Sequence, residues 1–333
     1  TTPTGTIAGG AGRDTLKIGT DTTLTGLTIS GMEVLDGSGG RTSLSPQNLL
    51  SLGFAAAQNI TFKLASNLAS GGVLDGSALT GAFNLRGTSQ SDVLTGNASS
   101  NTIYLNSDER VGAGLAADTV IAGDGDDQIV WGTKTAQQWS QFFSAVDIPT
   151  RTFQIAGSLD GGGGRDTFKL MFGYSGQDQT WDNDYWYMPW GNTWNQASSP
   201  EWRVDLTQLT LSNIESLQAD GYNASRFWAY PSEFLLTTSQ VNALTSTSGL
   251  RSMGLVGGGV IALDHLRDLG VTSWRFADAQ AYTVTGTSDG DTLTLGQGLI
   301  QASLGAGNDE LVIDSKALVK DTLHGGDGTD TLT

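Results

Sequence analysis

A nine-residue phrase recurs along this chain and sets narrow limits on its fold. It reads GGAGRDTLK at Gly9–Lys17, GGGGRDTFK at Gly161–Lys169 and GGDGTDTLT at Gly325–Thr333, with near-copies AGDGDDQIV from Ala122 and LGAGNDELV from Leu304. The pattern is G-G-x-G-x-D-x-U-x, with U a large apolar residue. The first six residues are built to turn and the last three to run as a strand. Glycine takes positive φ without a Cβ penalty, so it suits the turn. The apolar position, held by Leu16, Ile129, Phe168, Leu311 and Leu332, is expected to point inward.

The sixth position is acidic in all five copies: Asp14, Asp127, Asp166, Asp309 and Asp330. A turn that combines a carboxylate with accessible backbone carbonyls offers the oxygen-only donors that Ca²⁺ prefers. Asp-Gly and Gly-Gly pairs also make ordinary β-turns, and with 46 glycines one match would carry little weight. Five matches keeping both the acid and the apolar residue favour loops that hold a cation. Degenerate copies keep the phase. GTSQSDVLT from Gly87 runs into GNASSNTIY from Gly96, and AGLAADTVI from Ala113 runs into the copy at Ala122. GTSDGDTLT from Gly286 places Asp291 eighteen residues before Asp309. Two nonapeptides per coil would bring those two loops onto one edge.

In these motifs the chain resembles the RTX class of bacterial surface and secreted proteins, whose nonapeptides stack as a parallel β-roll. The resemblance implies an all-β fold, a parallel β-roll or β-helix solenoid with short inserted helices. It implies type I secretion from a Gram-negative cell and folding outside it on meeting several Ca²⁺ ions. It also implies carboxylate ligands at Asp14, Asp127, Asp166, Asp291, Asp309 and Asp330, with Asp92, Asp118 and Asp124 as further candidates. Carbonyl ligands would come from the paired glycines: Gly10 and Gly12, Gly123 and Gly125, Gly162 and Gly164, Gly305 and Gly307, Gly326 and Gly328. One departure stands out. The repeats come singly or in pairs rather than in the family's long arrays, and a lone loop needs a stacked partner to complete a site.

A larger repeat contains the small one. GRDTLKI at Gly12 matches GRDTFKL at Gly164, and LTISGMEVLDGSG matches LTLSNIESLQADG. AFNLRGTSQSDVLTG from Ala82 matches AYTVTGTSDGDTLTLG from Ala281. This predicts two tandem solenoid units, residues 1–157 and 158–324, with 325–333 opening a further loop. The cut inside the pattern suggests a segment of a longer protein. Short strands are expected at Ile60–Leu64, Phe83–Leu85, Thr119–Ile121, Ile129–Trp131, Phe153–Ile155, Tyr282–Thr285 and Leu311–Ile313. Helices are expected after Ser45-Pro46, after Thr135, from Ser239 and over Ala262–Leu269 closed by Gly270. Glu33 and Glu215 fall at the same place in both copies, which points to a structural hydrogen bond at a coil turn.

The net charge of −17 argues against a nucleic-acid partner, because phosphate binding needs a basic face. Bound Ca²⁺ would neutralise part of that excess. The chain has no cysteine, so in an extracellular setting metal would take the place of disulfides. No apolar run is long enough to span a bilayer. No secretory signal opens the sequence, which fits both a C-terminal type I signal and truncation.

The copies differ most after the second nonapeptide. Ten residues separate Asp14 from Leu24, but forty separate Asp166 from Leu206. The insertion, about residues 173–204, carries five of the nine tryptophans: Trp181, Trp186, Trp190, Trp194 and Trp202. Three readings stay open. The rings can form a self-packed flap, an interface to another subunit or domain, or a surface for a cell-surface polysaccharide. Only His265 and His324 could serve as imidazole bases, and both are expected on the solvated surface. No H-E-x-x-H or G-x-S-x-G motif is present. A carboxylate pair such as Asp182 with Asp184 could be nominated for glycoside hydrolysis. The expectation is nonetheless a non-enzymatic, calcium-stabilised structural or adhesive segment of a surface protein, self-associating or packed on neighbouring domains. A glycan-binding module and a polysaccharide-modifying enzyme are the alternatives.

Overall fold

The computed structural model describes residues 4–333 except 20–23, 25–26, 43–44, 65–69, 89, 107–116, 133–150, 173–201, 222–232, 251, 272, 296–298 and 314–321. Every paired strand is parallel to its neighbours. Sheet I runs β6 (Val73–Asp75), β8 (Val93–Thr95), β10 (Ala117–Ile121), β12 (Arg151–Asp160), β14 (Trp202–Ser212), β16 (Glu233–Thr237), β18 (Met253–Val256), β20 (Trp274–Phe276). Sheet II runs β2 (Thr15–Lys17), β4 (Val34–Thr42), β5 (Ala56–Lys63), β7 (Asn84–Arg86), β9 (Thr102–Asn106), β11 (Gln128–Gly132), β13 (Thr167–Phe172), β15 (Ser216–Gly221), β17 (Ser246–Ser248). Sheet III holds β19 (Gly259–Ala262), β21 (Ala281–Thr285), β23 (Leu299–Ala306) and β25 (Thr322–Asp327), and sheet IV holds β22 (Thr292–Leu295), β24 (Glu310–Ile313) and β26 (Thr331–Leu332). β1 (Gly5–Ala8) pairs with β3 (Leu27–Ser30). From β6 to β15 the chain alternates between sheets I and II, so each pair of strands is one coil. The fold is an all-β parallel solenoid.

The apolar position of the nonapeptide builds the core. In parallel register, equivalent residues of successive coils lie side by side and point to one face. Phe62, Leu85, Ile103, Ile129, Phe168 and Leu217 form one column across sheet II, each fully buried. Leu74, Leu94, Val120 and Leu159 form the matching column on sheet I. The flanking residues face outward, which is why Val93 and Ile121 remain exposed.

Three helices lie among the described residues: α1 (Pro46–Ser51), α2 (Thr238–Ala243) and α3 (Leu263–Asp268). α1 begins as expected, with the Ser45 hydroxyl accepting the Asn48 N–H and Pro46 in the first turn. α2 is capped two residues earlier than the sequence suggests. Thr237, not Ser239, is its N-cap, and Gln240 returns a bond to the Thr237 N–H in a capping box. Gln240 Nε2 also donates to the carbonyls of Leu206 and Leu209 (2.8 and 2.7 Å), tying α2 to β14. α3 is followed by Gly270 at φ +76°. Its His265 is half-buried rather than free on the surface: the ring Nε2 lies 2.9 Å from the Val241 carbonyl and joins α3 to α2. His324 is exposed. The helix expected after Thr135 lies outside the described residues. No described helix is long and apolar enough to cross a membrane.

Coil length is the main surprise. Asp291 and Asp309 are one coil apart at eighteen residues, as the two-nonapeptide rule requires. Elsewhere one coil takes 26 residues (Asn101 to Asp127) or 39 (Asp127 to Asp166), because segments are inserted between strands. Sheets I and II run on through residue 157, which lies within β12, itself paired on both sides.

Candidate metal centre

Where sheet I hands the chain to sheet II, the turns stack in a column: Gly96–Asn101, Ala122–Asp127, Gly161–Asp166 and the short turn Asn213–Glu215. One rule links them. The N–H of each sixth-position residue donates to the side-chain oxygen of its counterpart in the next coil. Asn101 N–H reaches Asp127 Oδ1 (2.6 Å), Asp127 N–H reaches Asp166 Oδ1 (2.8 Å) and Asp166 N–H reaches Glu215 Oε2 (2.7 Å). The column thus uses one oxygen of Asp127 and of Asp166. The other oxygen, Oδ2, is buried in both and has no hydrogen-bond partner. Asp166 is 0% exposed and Asp127 2%, so neither carboxylate is compensated by water.

The glycines explain how such loops can lie so close. All ten second- and fourth-position glycines have φ between +89° and +138°, where a side chain would be strained. A Cβ on Gly162 would lie 1.9 Å from the Gly123 carbonyl oxygen, and one on Gly164 would lie 2.1 Å from that of Gly125. The Ala122 and Gly161 loops pair directly, through Gly125 N–H to Gly163 O (2.6 Å) and Gly163 N–H to Gly123 O (3.0 Å). First-position Gly161 is packed against its own loop acid, with Asp166 Oδ2 2.5 Å from where a Cβ would stand.

Electrostatics mark the same place. Burial pushes the Asp127 carboxyl up to about 7, and the charges of Asp166, Asp126 and Asp124 add to the rise. Asp166 is raised as well, first by burial and then by Glu215, Asp126 and Asp160, against the bond from Asp127 N–H. Two buried carboxylates that disfavour their own ionisation have no salt-bridge partner among the described residues. Among the described residues no three His, Cys, Asp or Glu side chains converge on one point. A cation held here would therefore take few carboxylate oxygens and fill its shell from backbone carbonyls, a donor set that suits Ca²⁺.

The other loops divide into two kinds. Asp14 and Asp309 repeat the pattern, each with a buried, unpartnered Oδ2. Asp14 N–H donates to Glu33 Oε2 (2.9 Å) as Asp166 N–H does to Glu215, so both glutamates make the backbone bond expected of them. Gly31 and Asn213, at matching places in the two turns, share a positive φ of 59° and 52°. Asp309 N–H donates to Asp330 Oδ1 (3.1 Å), and Asp330 itself is exposed. Asp92, Asp118 and Asp291 differ. Asp92 and Asp118 sit on the opposite edge, where Asp92 N–H donates to Asp118 Oδ1 (2.8 Å). Both oxygens of Asp92, and both of Asp291, accept bonds from protein groups. Asp124, third in its loop, is exposed and forms a parallel bridge with Gly163. The roles of Thr88, Asn97 and Thr287 in these turns escaped the sequence reading. The signal was a Thr or Asn in place of the second glycine.

Trp181, Trp186, Trp190 and Trp194 lie outside the described residues. Trp202 opens β14, paired with Arg151. Comparison of the chain with protein-family models, with curated proteins and with solved structures gives no match.

Proposed function

We propose that the chain is a calcium-stabilised structural and adhesive segment of an extracellular surface protein of a Gram-negative bacterium, of the S-layer or RTX-adhesin kind. The observation that carries this reading is the pair of buried, unpartnered Oδ2 atoms of Asp127 and Asp166 on directly stacked glycine loops. In this reading Asp14, Asp127, Asp166, Asp309 and Asp330 supply carboxylate oxygens, and the second and fourth glycines of their loops supply carbonyls. Calcium's contribution is charge: it offsets carboxylates that repel one another across coils 4–5 Å apart. A chain of net charge −17 without cysteine then gains its rigidity outside the cell from metal, where Ca²⁺ is abundant. The function is mechanical and calls on no catalytic residue. Self-association, or packing on neighbouring domains, falls to the tryptophan-rich segment.

Far-UV circular dichroism in EGTA and in calcium tests the reading. EGTA should strip part of the β-structure, and Ca²⁺ at about 10⁻⁴–10⁻³ M should restore it, as in other extracellular modules. Mg²⁺ should be much poorer. Identical spectra and melting curves with and without chelator would sink it.

A further inference from the structure

We infer that the second residue of each loop decides whether the loop takes a cation, and that loops with Thr or Asn there close on themselves without one. The inference rests on the calcium reading only for the glycine loops.

Three loops carry a side chain at the second position: Thr88 in Gly87–Asp92, Asn97 in Gly96–Asn101 and Thr287 in Gly286–Asp291. They share one set of bonds. The second-position N–H donates to the sixth-position side chain: Thr88 to Asp92 Oδ2 (2.5 Å), Asn97 to Asn101 Oδ1 (2.9 Å), Thr287 to Asp291 Oδ2 (2.7 Å). The second-position side chain accepts the N–H of the fourth residue: Gln90 to Thr88 Oγ1 (3.1 Å), Ser99 to Asn97 Oδ1 (3.0 Å), Asp289 to Thr287 Oγ1 (2.9 Å). The two threonine hydroxyls also reach the acid, at 3.0 Å from Asp92 Oδ2 and 3.2 Å from Asp291 Oδ1. These are Asx- and Ser/Thr-turns in which the second side chain is the turn acceptor, closed further by the sixth side chain of the same loop.

Glycine loops do the opposite. Their second residue has φ between +89° and +115°, and the Gly162 N–H donates to Asp160 Oδ1 (3.2 Å) rather than to its own loop acid. Among the described residues only Ser38, Asn59 and Asn213 combine a side chain with positive φ, so Thr88, Asn97 and Thr287 do not make this turn. Among the loops whose second residue is described and whose acid is not exposed, the outcome sorts by that residue. Where the second residue is glycine, Oδ2 of Asp14, Asp127, Asp166 and Asp309 is buried without a partner. Where it is Thr or Asn, the sixth-position oxygen is filled by protein donors. Asn101 is the internal control: it bears no charge for a cation to balance, yet its loop closes by the same bonds. An N–H and a hydroxyl stand in for the ion, and the coils around Thr88 and Asn97 form a seam that holds its turns in the absence of metal.

Two measurements on the full chain test this. Equilibrium dialysis with Ca²⁺ compares Asp309→Asn with Asp92→Asn and Asp291→Asn. Asn keeps a side-chain oxygen able to accept a backbone N–H, as Asn101 Oδ1 accepts that of Asn97. Asp309→Asn should lose at least one bound ion per chain, while the other two keep the full count and an unchanged midpoint. Amide hydrogen exchange in EGTA should leave the Thr88 and Asn97 N–H groups at least tenfold slower than free-chain rates. Loss of bound calcium in Asp92→Asn or Asp291→Asn, matching that in Asp309→Asn, would overturn the inference. So would free-chain exchange at Thr88 and Asn97. If the unmodified chain binds no calcium at millimolar concentration, the calcium reading fails, and exchange at those two amides still decides whether the loops close alone.

Discussion

Asp166 carries more consequence than any other single acid in the described coils. Its Oδ1 accepts the Asp127 N–H, its own N–H reaches Glu215, and its Oδ2 is buried without a partner. Asp166→Asn preserves the hydrogen-bond ladder and removes only the charge. The calcium midpoint of this variant should rise several-fold, while Asp268→Asn, on the exposed side of α3, leaves it in place. Equal midpoints, read from calcium titrations of the two variants, would remove Asp166 from the ligand set. Asp127 gives a pH signature of its own. Its pKa in the folded chain, about 7, lies above the usual 3.8, so the folded state holds the proton more tightly. The stability that Asp127 confers is full below about pH 4 and is lost as pH rises through about 7. In EGTA the melting temperature should therefore fall between pH 5 and pH 8, and saturating calcium should flatten that decline. A metal-free chain whose melting point does not move over this range would show that Asp127 is not held as described.

At the scale of elements, the helices act as fasteners between coils. Gln240 is the clearest case, because one buried side chain closes the α2 capping box and also satisfies the carbonyls of Leu206 and Leu209. Gln240→Ala removes three bonds and leaves two carbonyls of β14 without these donors. With each lost bond worth roughly 1 kcal/mol and each orphaned buried group more, destabilisation of about 2–4 kcal/mol is expected in urea melts. A loss below about 1 kcal/mol would mean that water takes over those carbonyls. The stacked apolar column works on the same scale. Phe168 is wholly buried between Ile129 and Leu217, neighbours one coil away on either side. Its contribution is shared by three coils, so a defect at one position is felt along the stack.

For the whole molecule, the question is what the solenoid presents to its surroundings. The insertion between β13 and β14 interrupts neither strand's pairing: β13 pairs with β15 in one register, and β14 pairs with β12 along its length with one register shift between Gln154 and Ala156. Deleting Gly176–Ser199 should therefore leave a calcium-responsive β-solenoid. Under the proposed function the same deletion abolishes self-assembly, which analytical ultracentrifugation of the two chains in calcium would report. If assembly and glycan-array binding are both unchanged, the segment only packs on itself and the adhesive reading loses its support.

The nonapeptide made much of this legible from sequence. Glycine at positions two and four demanded positive φ, the eighth residue demanded burial, and both demands are local, set by one residue's sterics and polarity. The strands around Ile129, Phe168 and Leu311 and the structural bonds of Glu33 and Glu215 followed from the same local pattern. What stayed hidden depends on which coil lies next to which. That Asp127 stacks on Asp166 across 39 residues, rather than on a loop eighteen residues away, is set by how much chain each coil can bulge out between strands. The split between self-closed and open loops was hidden for a related reason. Asp92 and Asp127 look alike in the motif, and only the folded turn shows whether an N–H or nothing faces the second oxygen. Desolvation is a property of the stack, so the charge that these coils leave unbalanced appears only once they are packed.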